Sequence, residues 1–142
     1  YIADCHPANH SSFVEYGGIW PPHCVEGTRG GAIHESFYTK VENPANRPDP
    51  ARNIFRKGCK QDEEQYSGFE AVNSNGIALK DYANKDVVVS GIATEYCVRN
   101  TAEEFLKSGR NVELLLSALG YVDYDGHVKT IKELKDIMTI VE

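Results

Sequence analysis

A carboxylate and several imidazoles near the start of the sequence have a spacing that suits metal chemistry. Asp4 and His6 stand two residues apart, so on an extended segment their side chains point to the same side. His10 and His23 follow in a loop rich in glycine and proline, residues 7–32. One carboxylate with two or three imidazoles suits Zn, Fe or Mn, and open coordination positions are typical of a catalytic site. Surface histidines are also common in loops, so spacing alone leaves a solvated surface as the alternative.

The four cysteines are Cys5, Cys24, Cys59 and Cys97, and they form no C-x-x-C pair. A domain of this size does not depend on disulfides, so we expect reduced thiols and a cytoplasmic location. A structural zinc site built from Cys5 and Cys24 is disfavoured, because on an extended segment these side chains point away from the neighbouring histidines.

Cys97 stands at a junction in the segment VVVSGIATEYCVRNTAEEFL, residues 87–106. The pattern predicts a strand with Val87, Val88 and Val89 buried, then a turn and a helix. Cys97 therefore lies near a helix N-terminus, where the macrodipole and backbone N–H groups favour the thiolate. Position alone fits a nucleophile and a buried structural cysteine equally well.

Two lysines, Lys57 and Lys60, follow a short apolar stretch in FRKGCKQDEEQYSGFEAV, residues 55–72. A lysine in this context is normally a solvated surface group. A lysine buried beside a thiol and a carboxylate would instead keep the carboxylate ionised and lower the pKa of the thiol. The sequence leaves both interpretations open.

Apolar strands alternate with amphipathic helices from residue 76 onward. Such alternation is typical of a parallel sheet covered on both faces, with ligands at the carboxyl ends of its strands. The first half is loop-rich, and residues 42–53 read as an irregular surface excursion. The pattern predicts helices at 76–84, 101–109 and 127–138 and strands at 86–93, 111–119 and 139–142.

Composition indicates one globular domain. The chain has 142 residues, 41% of them hydrophobic, which is enough to bury a core. A net charge of -6 argues against nucleic acid or an anionic membrane as a partner. No apolar run is long enough to span a bilayer. Met138 is the only methionine and the first residues read as the end of a strand, so we expect a fragment with an upstream segment.

Four motifs in order carry a family resemblance: D-x-H-P-x-x-H-x-S-F, W-P-x-H-C-V-x-G-T, K-G followed by Y-S-G-F, and G-I-A-T-E-Y-C-V. Together they resemble the nicotinamidase/pyrazinamidase family of isochorismatase-like cysteine hydrolases, over nearly the whole chain. The resemblance implies an α/β class and a three-layer α/β/α architecture with a mainly parallel sheet, the isochorismatase-like hydrolase fold. Residues 1–142 would form a single, N-terminally incomplete domain from which the first central strand is missing.

The resemblance also implies an activity, namely hydrolysis of nicotinamide to nicotinate and ammonia, with pyrazinamide as a second substrate. This carbon–nitrogen hydrolase would feed NAD salvage. Cys97 would be the nucleophile that forms a thioester, and Lys57 the catalytic lysine, with Lys60 as the weaker candidate. The backbone N–H groups of Ala93 and Cys97 would form an oxyanion hole, beside a cis peptide bond between Ile92 and Ala93.

Metal and substrate contacts follow from the same resemblance. It implies one divalent metal ion, with Zn first and Fe or Mn as alternatives. The implied ligands are Asp4, His6 and His23, with His10 and Glu15 as further candidates. The aromatic residues that would clamp the substrate ring are Trp20 and Tyr96, assisted by Tyr66.

One expected group lies outside these residues. The family's general acid/base is an aspartate of an upstream D-x-Q-x-D-F segment, so we expect that segment as a separate piece or as part of a longer chain. The resemblance to this family also implies a homo-oligomer.

Two alternative functions remain. One is a sister hydrolase acting on another small amide, which the metal motif disfavours. The other is an inactive truncated metal-binding fragment, which the absent aspartate favours.

Overall fold

The computed structural model describes all residues from Tyr1 to Glu142, and the chain divides into two compact units. The first unit comprises Tyr1–Gln65 and Glu70–Leu79, and the second comprises Tyr66–Phe69 and Lys80–Glu142. The organisation as one domain stays a prediction.

A two-stranded parallel sheet lies at the centre of the first unit. Strand β1 (Ile2–Asp4) pairs with strand β2 (Phe55–Lys57), and Asp4 stands opposite Lys57 in the register. Residues paired in this way project to the same face of a sheet, so the carboxylate and the ammonium group are neighbours. The buried apolar side chains of this unit are Phe13, Ile54, Phe55 and Ala71.

Loops with single helical turns make up most of the rest of the first unit. Short 3-10 helices cover Val14–Tyr16, Arg29–Gly31 and Pro44–Asn46, and a one-turn helix α1 covers Ser36–Thr39. Most of the stretch 42–53 is exposed, which confirms the surface excursion expected there.

The second unit contains a three-stranded parallel sheet in the order β3 (Asp86–Gly91), β4 (Asn111–Leu119) and β5 (Thr139–Val141), and two helices of about two to three turns. The α/β class and the parallel pairing are therefore confirmed. No helix in the structure has the length and apolar character needed to cross a membrane. The elements from residue 79 onward are α2 (Leu79–Tyr82), β3 (Asp86–Gly91), α3 (Arg99–Lys107), β4 (Asn111–Leu119), α4 (Tyr124–Leu134) and β5 (Thr139–Val141).

Several helix boundaries differ from the prediction, since α2 covers only Leu79–Tyr82 and α4 ends at Leu134 rather than at residue 138. The early starts of two helices have local reasons. Helix α3 continues a turn that begins at Thr94, so it starts earlier than residue 101. Helix α4 also starts early, because the Asp123 side chain caps it by accepting the Gly126 N–H at 2.7 Å. Helix α3 ends as predicted, with Gly109 in the left-handed conformation at φ 84°.

The prediction that all three valines of β3 are buried is wrong for Val88, whose side chain is 62% exposed. Its register partner Glu113 is exposed as well, whereas the next pair brings Val89 beside the buried Leu114. Side chains alternate across a strand, so the Val88 row lies on the face that the second unit leaves open.

Candidate metal centre and thiol site

Three side chains of the first unit bring metal-ligating atoms together, and we call them the metal cluster: Asp4, His6 and His23. Asp4 ends β1, His6 follows it, and His23 returns from the long loop. One ligand atom from each lies within 4.8 Å of the others. The backbone fixes this approach, since the His6 N–H donates to the Cys24 carbonyl at 3.1 Å.

Both histidines of the metal cluster are oriented by backbone carbonyls. His6 Nδ1 lies 2.8 Å from the Gly58 carbonyl oxygen, and His23 Nδ1 lies 2.8 Å from that of Pro21. A carbonyl only accepts, so each Nδ1 carries the proton and each Nε2 keeps a lone pair for a metal ion. Burial lowers the pKa of His6, which leaves its imidazole neutral at pH 7, as ligation requires.

Gly58 makes room for the ring of His6. Its φ of 62° lies in the left-handed region. A Cβ atom at this position would lie 2.6 Å from His6 Cε1 and 2.9 Å from His6 Nδ1. The K-G motif therefore has a steric reason, because only glycine leaves the imidazole in place.

Lys57 is the buried lysine that the sequence allowed, with 4% exposure. Its Nζ donates to the Asp4 carboxylate and, at 2.9 Å, to the Gln65 carbonyl. Lys60 is the solvated alternative, since its side chain is 78% exposed and pairs with Glu63 at 2.6 Å. The structure thus distinguishes two lysines that the sequence could not.

His10 and Glu15 do not join the metal cluster. His10 is fully buried, and its Nδ1 accepts from the Ser12 hydroxyl at 2.7 Å and from the Ser12 N–H at 3.2 Å. Its Nε2 faces the Glu63 carbonyl at 3.2 Å and therefore carries the proton, so neither nitrogen offers a lone pair to a metal ion. His10 instead packs on His6, with ring centroids 4.3 Å apart. Glu15 is exposed on a 3-10 turn.

The aromatic candidates lie in both units. In the first unit Trp20 is a neighbour of His23, with ring centroids 6.2 Å apart. In the second unit the rings of Tyr66 and Tyr96 lie 5.6 Å apart at an interplanar angle of 38°. All three residues are half-buried.

Cys97 lies in a five-residue π-helical turn, Thr94–Val98, which we call the thiol turn. The peptide bond between Ile92 and Ala93 is cis, at the position where the resemblance implies one. The Ala93 carbonyl closes the turn by accepting the Tyr96 and Val98 N–H groups, both at 3.1 Å. Single π-helical turns occur frequently at functional sites.

Sequence reasoning missed the residues that surround the thiol turn. Thr94 donates to the Gly120 carbonyl through both its N–H and its hydroxyl, each at 2.8 Å. His127 Nδ1 lies 3.0 Å from the same hydroxyl oxygen. A Cβ atom on Gly120 would lie 2.3 Å from the Ile92 side chain. Gly120 and His127 stand 26 and 33 residues after Thr94, so no local pattern marks them.

The other cysteines are free thiols and none belongs to the metal cluster. Cys59 is exposed, and partial desolvation together with a hydrogen bond to the Cys5 thiol raises its pKa to about 12. A thiol with so high a pKa stays protonated at neutral pH and is a poor nucleophile. Exposure alone therefore does not make Cys59 a second reactive cysteine.

Comparison with known families gives a match to the isochorismatase domain over residues 1–142. The chain belongs to the isochorismatase family. This isochorismatase-family chain is 34% identical over 134 residues to the nicotinamidase/pyrazinamidase of Mycobacterium tuberculosis, covering 91% of the chain and 66% of that relative. The chain spans about two thirds of the length of the curated relatives it matches.

Solved structures agree with this assignment. The pyrazinamidase of Pyrococcus horikoshii in complex with zinc is 37% identical at a TM-score of 0.79, over 99% of this chain and 73% of that one. PnC1 from L. infantum in complex with nicotinate is 33% identical at a TM-score of 0.78, over 99% of this chain and 69% of that one. The family resemblance and the isochorismatase-like α/β fold are confirmed.

Proposed function

We propose that this isochorismatase-family chain catalyses hydrolysis of nicotinamide to nicotinate and ammonia, and also accepts pyrazinamide. The metal cluster carries the proposal, because the resemblance separates nicotinamidases from sister amidohydrolases by this ligand set. The relatives named nicotinamidase/pyrazinamidase and the nicotinate complex of the L. infantum protein support the same substrate class.

The donor set fits one divalent metal ion. One carboxylate and two imidazoles with available Nε2 lone pairs suit zinc, and the relative from P. horikoshii is described with zinc. Asp4, His6 and His23 would hold the ion, which would supply a Lewis acid for binding the pyridine ring of the substrate. His10 supports the ring of His6, and Lys57 places a positive charge beside Asp4.

Cys97 is the proposed nucleophile. Its thiolate attacks the carboxamide carbon and forms a tetrahedral oxyanion, which the Ala93 and Cys97 N–H groups stabilise. Collapse breaks the carbon–nitrogen bond and ammonia leaves with a proton from the general acid, the role of the family's upstream aspartate. Water then hydrolyses the thioester to nicotinate and restores the Cys97 thiol.

Further roles extend the proposal beyond the chemical step. Trp20 and Tyr96, with Tyr66, contact the faces of the substrate ring, and Lys57 is the catalytic lysine. The product nicotinate enters NAD salvage in the cytoplasm, and the protein acts as a homo-oligomer.

The test is ammonia release from nicotinamide by the zinc-loaded, full-length protein and by its Cys97→Ala and Cys59→Ala variants. We expect the wild type and Cys59→Ala to release ammonia and nicotinate in equal amounts and Cys97→Ala to release neither. Unchanged ammonia release by Cys97→Ala, or none from the wild type, would refute the proposal.

A further inference from the structure

The carboxylate of Glu95 links the thiol turn to the segment between β4 and α4. Glu95 is the second residue of that turn and stands two residues before Cys97. Its Oε1 accepts the N–H groups of Val122 at 2.8 Å and of Asp123 at 2.7 Å. One carboxylate oxygen therefore holds two consecutive peptide groups of a distant loop.

The other carboxylate oxygen, Oε2, is buried and has no hydrogen-bond partner. A buried, unsatisfied polar oxygen opposes folding, and most such atoms in native proteins are satisfied. The carboxylate therefore acts on the rest of the structure through Oε1 alone, whose two hydrogen bonds join the thiol turn to residues 122 and 123.

A second link acts on the adjacent residue of the same turn. Thr94 is fully buried, and its N–H and hydroxyl both donate to the Gly120 carbonyl at 2.8 Å. The first two residues of the thiol turn are thus attached to the segment 120–123. These attachments set the orientation of the peptide planes that lead to Cys97.

The orientation of those planes decides where the backbone N–H groups point. An oxyanion hole requires its donors within about 3 Å of one oxygen, and displacements of about 1 Å cost catalysis heavily. We propose that Glu95 is a positioning residue that holds the thiol turn through Val122 and Asp123, so that the Ala93 and Cys97 N–H groups meet one oxyanion. The inference rests on the proposed function, which assigns those two groups their role.

Three variants separate positioning from general stability. Glu95→Ala removes both bonds, whereas Glu95→Gln keeps an oxygen that can accept the same N–H groups. Asp123→Ala is the matched control, because it removes the α4 cap on Gly126 and leaves the Asp123 N–H bonded to Glu95. Each variant is compared with the wild type for kcat, KM and melting temperature with nicotinamide.

We expect Glu95→Ala to lower kcat by about tenfold or more with KM changed by less than about twofold, since only the transition state loses stabilisation. Glu95→Gln should restore kcat, and Asp123→Ala should lower the melting temperature but not kcat. Wild-type kcat in Glu95→Ala would overturn the proposal. Equal loss of kcat in the Gln and Ala variants would overturn it as well.

Hydrogen exchange tests the same claim without turnover. Glu95→Ala should speed exchange at the Val122 and Asp123 amides and across residues 92–98, whereas Asp123→Ala should affect only the start of α4. Unchanged exchange across 92–98 in Glu95→Ala would overturn the positioning role. If the wild type hydrolyses no nicotinamide, the proposed function fails, and the exchange result still decides the role of Glu95.

Discussion

The metal cluster and the thiol turn are built from different parts of the polypeptide. In the metal cluster side chains carry the chemistry, and carbonyl groups orient two imidazoles. In the thiol turn the backbone path, a π-helical turn that follows a cis peptide bond, positions the side chain of Cys97. Residue types and their spacing therefore indicate the metal cluster, whereas the thiol turn depends on a backbone path that no single residue reveals.

The metal cluster and the thiol turn also differ in how their geometry is fixed. Gly58 serves the metal cluster by leaving space for the ring of His6. Glu95 instead joins the thiol turn to a distant loop through two hydrogen bonds. Variants that change one site and leave the other unchanged can therefore test whether the metal cluster and the thiol turn are independent.

The largest expected effect is that of Cys97→Ala on turnover. Loss of the nucleophile should lower nicotinamide hydrolysis by about a thousandfold or more, because the covalent step is gone. Zinc affinity, measured by calorimetry, should match the wild type. A large loss of zinc affinity in this variant would show that zinc binding depends on Cys97, so that the two sites are not independent.

His23→Ala and His10→Ala should differ in metal binding. Removing a ligand should weaken zinc affinity by about a hundredfold or more, whereas removing the supporting ring of His10 should cost about tenfold. The His10 variant should also lose stability, because it leaves a cavity and frees Ser12. Equal zinc affinities in the two variants, measured by competition with a chelating dye, would contradict the assignment of His10.

Gly58→Ala should weaken zinc binding by about tenfold to a hundredfold, because the new methyl group displaces the His6 ring. Gly27→Ala is the matched control: its φ is 77°, but a Cβ there meets nothing within 4 Å. Both variants lose stability because alanine is strained in the left-handed conformation, but only the alanine at position 58 clashes with an imidazole. Equal zinc affinity in the two variants would show that the space around His6 is not what Gly58 provides.

The smallest effect concerns Cys59. Its raised pKa of about 12 keeps the thiol protonated, and the thiolate fraction, with the alkylation rate, should rise as the pH rises toward that value. At pH 8 iodoacetamide should modify Cys59 at least about tenfold more slowly than an unperturbed cysteine in a peptide. Cys5→Ala should speed the reaction, since the hydrogen bond that helps raise the pKa is removed. Peptide mapping by mass spectrometry gives the alkylation rates. A rate for Cys59 equal to that of the reference cysteine peptide would show that the pKa of Cys59 is not raised.

The sequence predicted the parts of the molecule that local patterns encode. The spacing of Asp4 and His6 indicated a shared face, and strand and helix patterns located β3, β4 and α4. Val88 was misjudged because its exposure depends on what covers the sheet, which is a tertiary property.

The contacts around Cys97 were beyond sequence reasoning for the same physical reason. Glu95 reaches backbone groups 27 and 28 residues away, and glutamates in a turn are ordinarily solvated. Lys57 and Lys60 looked alike in sequence, and only pairing of β1 with β2 buries the first of them. Long-range pairing thus buries Lys57 and places Glu95, and no local pattern indicates either result.

Partitioning with hydroxylamine tests whether the reaction passes through a thioester on Cys97. The full-length protein is given nicotinamide or a nicotinate ester, and the ratio of hydroxamate to nicotinate is measured for each substrate at the same hydroxylamine concentration. A shared acyl-enzyme on Cys97 predicts the same ratio from both substrates and no product from Cys97→Ala. Different ratios, or hydroxamate formed from nicotinamide by Cys97→Ala, would contradict the account.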